Sequence, residues 1–190
     1  KPVVWIGILD GGFWLDSTGT PMIASGQAES DFGLGVLQVN LEAEGTPAGG
    51  PDPEEGDSSP WHGNQVASAA LAAIGNQAGA AGSGASVARP VFFRSLFCTE
   101  RILRCLNYCT AWGIDVLNMS SSMETPSELL FGTSNWNKAF DFAVANGVII
   151  VAAAGNESSK LPDYNIRPAT RTPGVITVGA LDEADNAAAF

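Results

Sequence analysis

The chain has 190 residues, 45% of them hydrophobic, which is enough to bury one sizeable core and predicts a single domain. Twenty acidic residues against nine basic ones give a net charge of −11. That balance, with no basic run anywhere, argues against nucleic acid and anionic membrane surfaces as partners. The longest apolar stretch, Val144 to Ala154, is broken by Asn146 and Gly147 and is too short to span a bilayer.

In chain order, Lys1-Pro2-Val3-Val4 starts inside a strand pattern without a signal-peptide profile, so any targeting segment is expected to have been removed or never included. Val3 to Leu9 is a continuous apolar run ending at Asp10-Gly11-Gly12, the pattern of a buried parallel strand closed by a tight turn. Residues 40–60 are rich in Pro, Gly and acid (Glu42, Glu44, Asp52, Glu54, Glu55, Asp57) and read as an exposed acidic surface-loop insertion. Val66 to Ile74 is Ala-rich and helical, closed by Gly75-Asn76. Val87 to Leu96 reads as a strand, and Glu100 to Thr110 as a helix with apolar positions at Ile102, Leu103 and Leu106. Ile114 to Met119 is a strand, Trp136 to Asn146 a helix, Val148 to Ala153 a strand, and Val175 to Val178 another. This alternation implies an α/β layered fold with a mostly parallel sheet.

In such sheets, ligands gather at the C-terminal ends of the strands. Asp10, the run Ser120-Ser121-Ser122 and Asn156 all fall at such ends, and the only histidine, His62, heads a small-residue helix. Asp, His and Asn in that order match the orienter, base and oxyanion donor of Asp-His-Ser acyl-transfer enzymes. Cys98, Cys105 and Cys109 are expected to be buried small side chains in or beside a helix. A disulfide from Cys98 to one of the others would suit an extracellular protein, and an odd count fits a partner cysteine on a missing segment. No metal site is expected, because zinc wants four ligands and no fourth lies nearby.

Taken together, the motifs resemble those of the subtilisin-like serine proteases, the subtilases, over nearly the whole chain. Val4-Trp5-Ile6-Gly7-Ile8-Leu9-Asp10-Gly11-Gly12 resembles the strand bearing the catalytic aspartate, where the family usually has Asp-Ser-Gly or Asp-Thr-Gly. His62-Gly63-Asn64-Gln65-Val66-Ala67-Ser68 resembles His-Gly-Thr-His-Val-Ala-Gly. Asp115-Val116-Leu117-Asn118-Met119-Ser120 resembles the cleft strand, and Ala152-Ala153-Ala154-Gly155-Asn156-Glu157 the oxyanion-asparagine segment. Thr172-Pro173-Gly174-Val175-Ile176-Thr177-Val178-Gly179-Ala180 resembles the strand that follows. Asn64 and Gln65 depart from the histidine motif, and Ser120-Ser121-Ser122 replaces the usual Ser-Leu-Gly, which removes an apolar residue and a glycine from the pocket wall.

The resemblance implies a three-layer fold with helices on both faces of the sheet, incomplete at the C-terminus, with residues 1–190 as the N-terminal portion of the peptidase domain. It implies a serine-type endopeptidase with Asp10 and His62 as catalytic residues and Asn156 in the oxyanion hole. An extended peptide would lie between Ser120, Ser121 and Ser122 on one side and Ala153, Ala154 and Gly155 on the other, held by backbone pairing. The family's nucleophile stands in Gly-Thr-Ser-Met-Ala after the oxyanion asparagine, and none follows Asn156 here. Gly132-Thr133-Ser134 spells the tripeptide but precedes Asn156, and reads as a helix N-cap. The serine is therefore expected beyond Phe190, on a missing segment or a second chain, and the chain by itself is expected to be inactive. The alternative is a pseudoprotease that binds peptides without cutting them. No cofactor is required for the chemistry. Gly75-Asn76-Gln77-Ala78-Gly79 resembles a family region of structural calcium, and reads equally as a Gly-Asn helix stop. Ile166-Arg167-Pro168-Ala169 resembles a family turn, and the bond before Pro168 is expected to be cis. A secreted or extracytoplasmic setting is implied as well.

Overall fold

Ile8 and Leu9 are neighbours in sequence, yet both are fully buried. Successive side chains of a strand point to opposite faces, so both faces of the sheet must be covered at this point. The computed structural model describes residues 3–15, 36–50, 62–75, 77, 80–85, 87–95, 98–120, 134–156 and 172–188. Its strands are β1 (Val4–Asp10), β2 (Phe13–Trp14), β3 (Leu37–Asn40), β4 (Gly49–Gly50), β5 (Ala88–Arg94), β6 (Val116–Met119), β7 (Ile149–Ala153) and β8 (Val175–Val178). The helices among the described residues are α1 (His62–Leu71), α2 (Thr99–Trp112) and α3 (Ser134–Ala145).

Six strands form one sheet in the order β3-β5-β1-β6-β7-β8, and every pairing in it is parallel. β2 and β4 pair separately. On one face Leu9, Phe93, Leu117 and Ile150 pack against Ile102, Cys105 and Leu106 of α2 and against Phe140 and Ala143 of α3. On the other, Ile8 and Phe92 pack against Phe13, Leu15 and the α1 residues Ala67 and Leu71. Phe92 stacks on Phe13 with ring centroids 4.1 Å apart and planes 4° from parallel. The fold is thus the expected three-layer α/β arrangement. After β1 the chain builds one flank, β3 and β5, and then crosses to β6 on the other. Asp10 therefore ends the strand at which the winding changes side, where open parallel sheets form their crevice.

Element boundaries differ from the sequence expectation where tertiary contacts decide. α1 begins at His62, the residue expected at its head, one turn ahead of the apolar pattern at Val66, and it ends at Leu71 rather than Ile74. The end is set from outside: the backbone N–H groups of Gly82, Ser83 and Gly84 donate to the carbonyls of Ala72, Ala69 and Ala70. Those carbonyls would otherwise be orphans of the last turn. α2 stops at Gly113, which takes the left-handed conformation (φ 66°) and returns its N–H to the Cys109 carbonyl.

The described part of the 40–60 segment is a turn with an exposed tip at residues 43–47 and buried flanks. Leu37–Asn40 is an edge strand that the sequence pattern does not announce, and Leu41 and Ala48 are buried. The Asn40 side chain organises the turn, accepting the N–H groups of Glu42 and Ala43 and donating to Thr46 Oγ1 and the Pro47 carbonyl. Glu42 pairs with Arg101 of α2 at 2.7 Å, and Glu44 with Arg104. The acidic residues 52–57 lie outside the described residues.

Cys105 and Cys109 are fully buried, Cys98 is half-buried beside the start of α2, and all three are free thiols, so the disulfide from Cys98 is not formed. Burial, with Cys109 alongside, pushes the Cys105 thiol well above its ordinary value.

Candidate active site

β1 is central in the sheet and paired on both sides, so the residue at its end is held by rigid neighbours. The Asp10 carbonyl accepts the Ser95 N–H at 2.9 Å, and the Arg94 Nε–H donates to the Gly11 carbonyl at 3.3 Å. The Asp10 carboxylate is nearly buried, its side chain 5% exposed. Its Oδ1 accepts the Gly11 N–H at 2.9 Å, which leaves Oδ2 turned toward α1.

His62 meets it there, with Nδ1 2.8 Å from Asp10 Oδ2. A carboxylate can only accept, so Nδ1 carries a proton, and in the neutral ring Nε2 then carries the lone pair. The His62 side chain is 41% exposed, so the imidazole is accessible from solvent while its partner is not. In its neutral form an imidazole held this way can take up a proton at Nε2.

Because the sheet is parallel throughout, the ends of β6 and β7 open on the same edge as Asp10. A cavity of about 300 Å³ lies there, between Asn118 and Ser120 on one side and the 151–156 and 178–180 segments on the other. Ala153, Ala154, Gly155 and Asn156 all line it. Gly155 supplies the positive φ, 99°, that turns the chain out of β7, and Asn156 is exposed at the turn. The Ala154 N–H is spent on the Val178 carbonyl at 2.8 Å, which ties β8 to this wall. The structure therefore brings Asp10 and His62 into contact and gathers Ser120, Ala153, Ala154, Gly155 and Asn156 around one cavity. Ser121 and Ser122 lie outside the described residues, as does the Arg167–Pro168 bond.

Asn118 is a cavity residue that sequence reasoning passed over: its Nδ2 donates to Ser120 Oγ at 2.9 Å. The available signal was a polar residue inside an otherwise apolar strand. Of the Gly75–Gly79 stretch, Gly75 and Gln77 are described, and Gln77 alone offers a side-chain oxygen. Asn76, on which the calcium expectation rests, lies outside the described residues. Among the described residues no group of His, Cys, Asp and Glu is placed to hold a metal ion.

A model of the subtilase family matches residues 4–190. Subtilisin DY of Bacillus licheniformis is 32% identical over 178 residues, covering 88% of this chain and 62% of its own length. Subtilisin-like protease 3 of Pseudogymnoascus destructans is 46% identical over 55 residues, 29% of this chain and 13% of its own. Among solved structures, MycP1 with its N-terminal propeptide removed superposes with a TM-score of 0.64 at 18% identity, over 100% of this chain and 61% of that one. The prenylagaramide maturation protease PagA gives a TM-score of 0.63 at 18% identity, over 100% of this chain and 58% of that one. The chain thus spans 62% of Subtilisin DY and a smaller share of the other curated relative.

Proposed function

The chain belongs to the subtilase family, and from that premise we propose that it carries the acid–base pair and the oxyanion asparagine of a serine endopeptidase. The serine stands on a segment beyond Phe190, in the same polypeptide or in a companion chain. The observation that carries this reading is the 2.8 Å contact between His62 Nδ1 and a nearly buried Asp10 carboxylate at the sheet's crevice. Two further observations support it. Subtilisin DY has 38% of its length outside the match (100 minus the 62% covered), which leaves room for such a segment. On the β8 side Ile176, Val178 and Leu181 are 52%, 50% and 66% exposed, an apolar surface that a further layer of the domain would cover.

In this mechanism the serine hydroxyl gives its proton to His62 Nε2 as its oxygen attacks the scissile carbonyl. His62 then passes that proton to the leaving amine. Asp10 keeps the ring in the Nδ1–H tautomer and faces the imidazolium when it forms. Asn156 donates its side-chain amide to the oxyanion, a contribution of about 3–4 kcal/mol for such a donor. The peptide lies extended between Ser120–Ser122 and Ala153–Gly155, held mainly through its backbone. The reading extends to a secreted or extracytoplasmic enzyme, as the resemblance implies; no described helix is long and apolar enough to cross a membrane.

The test is hydrolysis of a denatured protein substrate by the complete polypeptide, with His62→Ala as the control. Hydrolysis lost in His62→Ala supports the reading. Hydrolysis retained in that variant refutes it, and peptide binding without any cleavage would mark a pseudoprotease instead.

A further inference from the structure

We propose that Asn64 is a positioning residue that sets the spacing of the Asp10–His62 pair, an inference that rests on reading that pair as the catalytic acid–base machinery. Asn64 is fully buried, on a helix face whose other buried residues are Gly63, Ala67 and Leu71. Burying an amide is costly unless its donor and its acceptor both find partners. Here both do, on one residue: Oδ1 accepts the Trp14 N–H at 2.7 Å and Nδ2 donates to the Trp14 carbonyl at 3.0 Å. The side chain takes both main-chain polar groups of Trp14, as a neighbouring strand would.

The segment it grips follows directly from Asp10. Gly11 and Gly12 separate the carboxylate from Phe13 and Trp14, and consecutive glycines leave the backbone its widest freedom. Two stretches of chain therefore meet in step. His62 bonds Asp10 at 2.8 Å. Gly63 lies so close to Gly12 that an added Cβ would stand 2.3 Å from the Gly12 carbonyl oxygen. Asn64 closes the series on Trp14. At the Asp10 end the anchor is a hydrogen bond from a ring that is 41% exposed, whereas at the other end Asn64, itself fully buried, holds half-buried Trp14 through both of its amide atoms. The buried, doubly bonded end sets where the first turn of α1 sits, and hence where the imidazole stands relative to Asp10.

The experiment uses the complete serine-bearing enzyme, with the His62 ring resonances assigned by their loss in His62→Gln. Asn64→Ala is expected to lower kcat about 10- to 100-fold, the scale of a small misplacement of catalytic groups, with KM within about threefold. The low-field proton resonance of the Nδ1–H···Asp10 hydrogen bond should vanish while circular dichroism stays native. Asn64→Gln, which keeps the amide, should recover part of both signals. A drop in Tm with kcat and the low-field proton unchanged overturns the proposal and leaves Asn64 a residue of the fold alone. Where Asn64→Ala does not fold, Asn64→Asp keeps the shape and the acceptor for the Trp14 N–H: loss of kcat supports the proposal, and unchanged kcat overturns it. A wild-type enzyme that lacks the low-field proton, and keeps its activity in His62→Gln, overturns the assignment of the pair itself.

Discussion

Asp10→Asn is the most searching substitution, because the carboxylate's two oxygens have different duties. Oδ1 accepts the Gly11 N–H at 2.9 Å and Oδ2 accepts His62 Nδ1–H at 2.8 Å. An asparagine has one acceptor and one donor at these positions. Its oxygen must serve the Gly11 N–H, so its NH2 group faces His62. A donor facing Nδ1 requires a lone pair there, which moves the ring proton to Nε2. The nitrogen turned toward substrate then has nothing with which to accept the serine proton. Loss of the correct tautomer in such triads lowers kcat about 10⁴-fold, which at 1.36 kcal/mol per decade is about 5 kcal/mol of transition-state stabilisation. KM should hardly change, because a carboxylate only 5% exposed does not meet the peptide. The assay is kcat and KM on a chromogenic peptide with the complete enzyme. Nitrogen NMR of isotope-labelled histidine adds a direct view, since His62 is the only histidine of the 190 residues and gives one pair of ring signals in this chain. A kcat within about tenfold of the parent, or a ring proton still on Nδ1, would show that Asp10 does not set the tautomer.

Phe92→Ala removes a fully buried ring stacked on Phe13, and should cost about 3–5 kcal/mol in urea unfolding of the complete enzyme; under about 1 kcal/mol would mean the site collapses around the gap. A thiol reagent at neutral pH should label half-buried Cys98 first, with Cys105 and Cys109 reacting only on unfolding. Burial raises the folded thiol pKa of Cys105, so its contribution is fully present below about pH 8.5, the ordinary thiol value, and is lost as pH rises toward the folded one. Urea midpoints across that window should therefore fall less steeply in Cys105→Ala than in the parent. Asp182 works in the opposite sense. Its exposed carboxylate accepts the N–H groups of Asn186 and Ala184, and these hydrogen bonds lower its pKa. The 182–186 turn should hold at neutral pH and open as pH falls from about 3.9, the ordinary Asp value, through the lower folded one. Amide NMR through that range checks this, and a turn unchanged in Asp182→Ala would contradict it.

What could be read from the sequence is what each segment decides by itself. β1 and β7 were legible because strands of a covered parallel sheet are nearly continuous apolar runs. Asp10 and Asn156 could be placed at strand ends because Asp10 closes such a run and Asn156 follows one just past Gly155, and the i, i+4 spacing of Cys105 and Cys109 sufficed to put both on the buried face of α2. β3 was not legible, since Leu37-Gln38-Val39-Asn40 is a short edge strand whose Leu37 is exposed and whose Asn40 bonds to the turn that follows. The first turn of α1 was legible only in part: His62 could be placed at the head of a helix, but the apolar pattern starts at Val66. His62-Gly63-Asn64-Gln65 has weak helix propensity, and the turn forms because contacts with residues 10–14 override it. That weak propensity bears on function. The strand that carries the carboxylate is specified by its own residues, whereas the turn that carries the base takes its shape from a partner about fifty positions away in sequence. The base is then the more easily displaced member of the pair. Substitutions in residues 12–14, remote from any peptide, should therefore reach the chemistry through His62 before they reach it through Asp10.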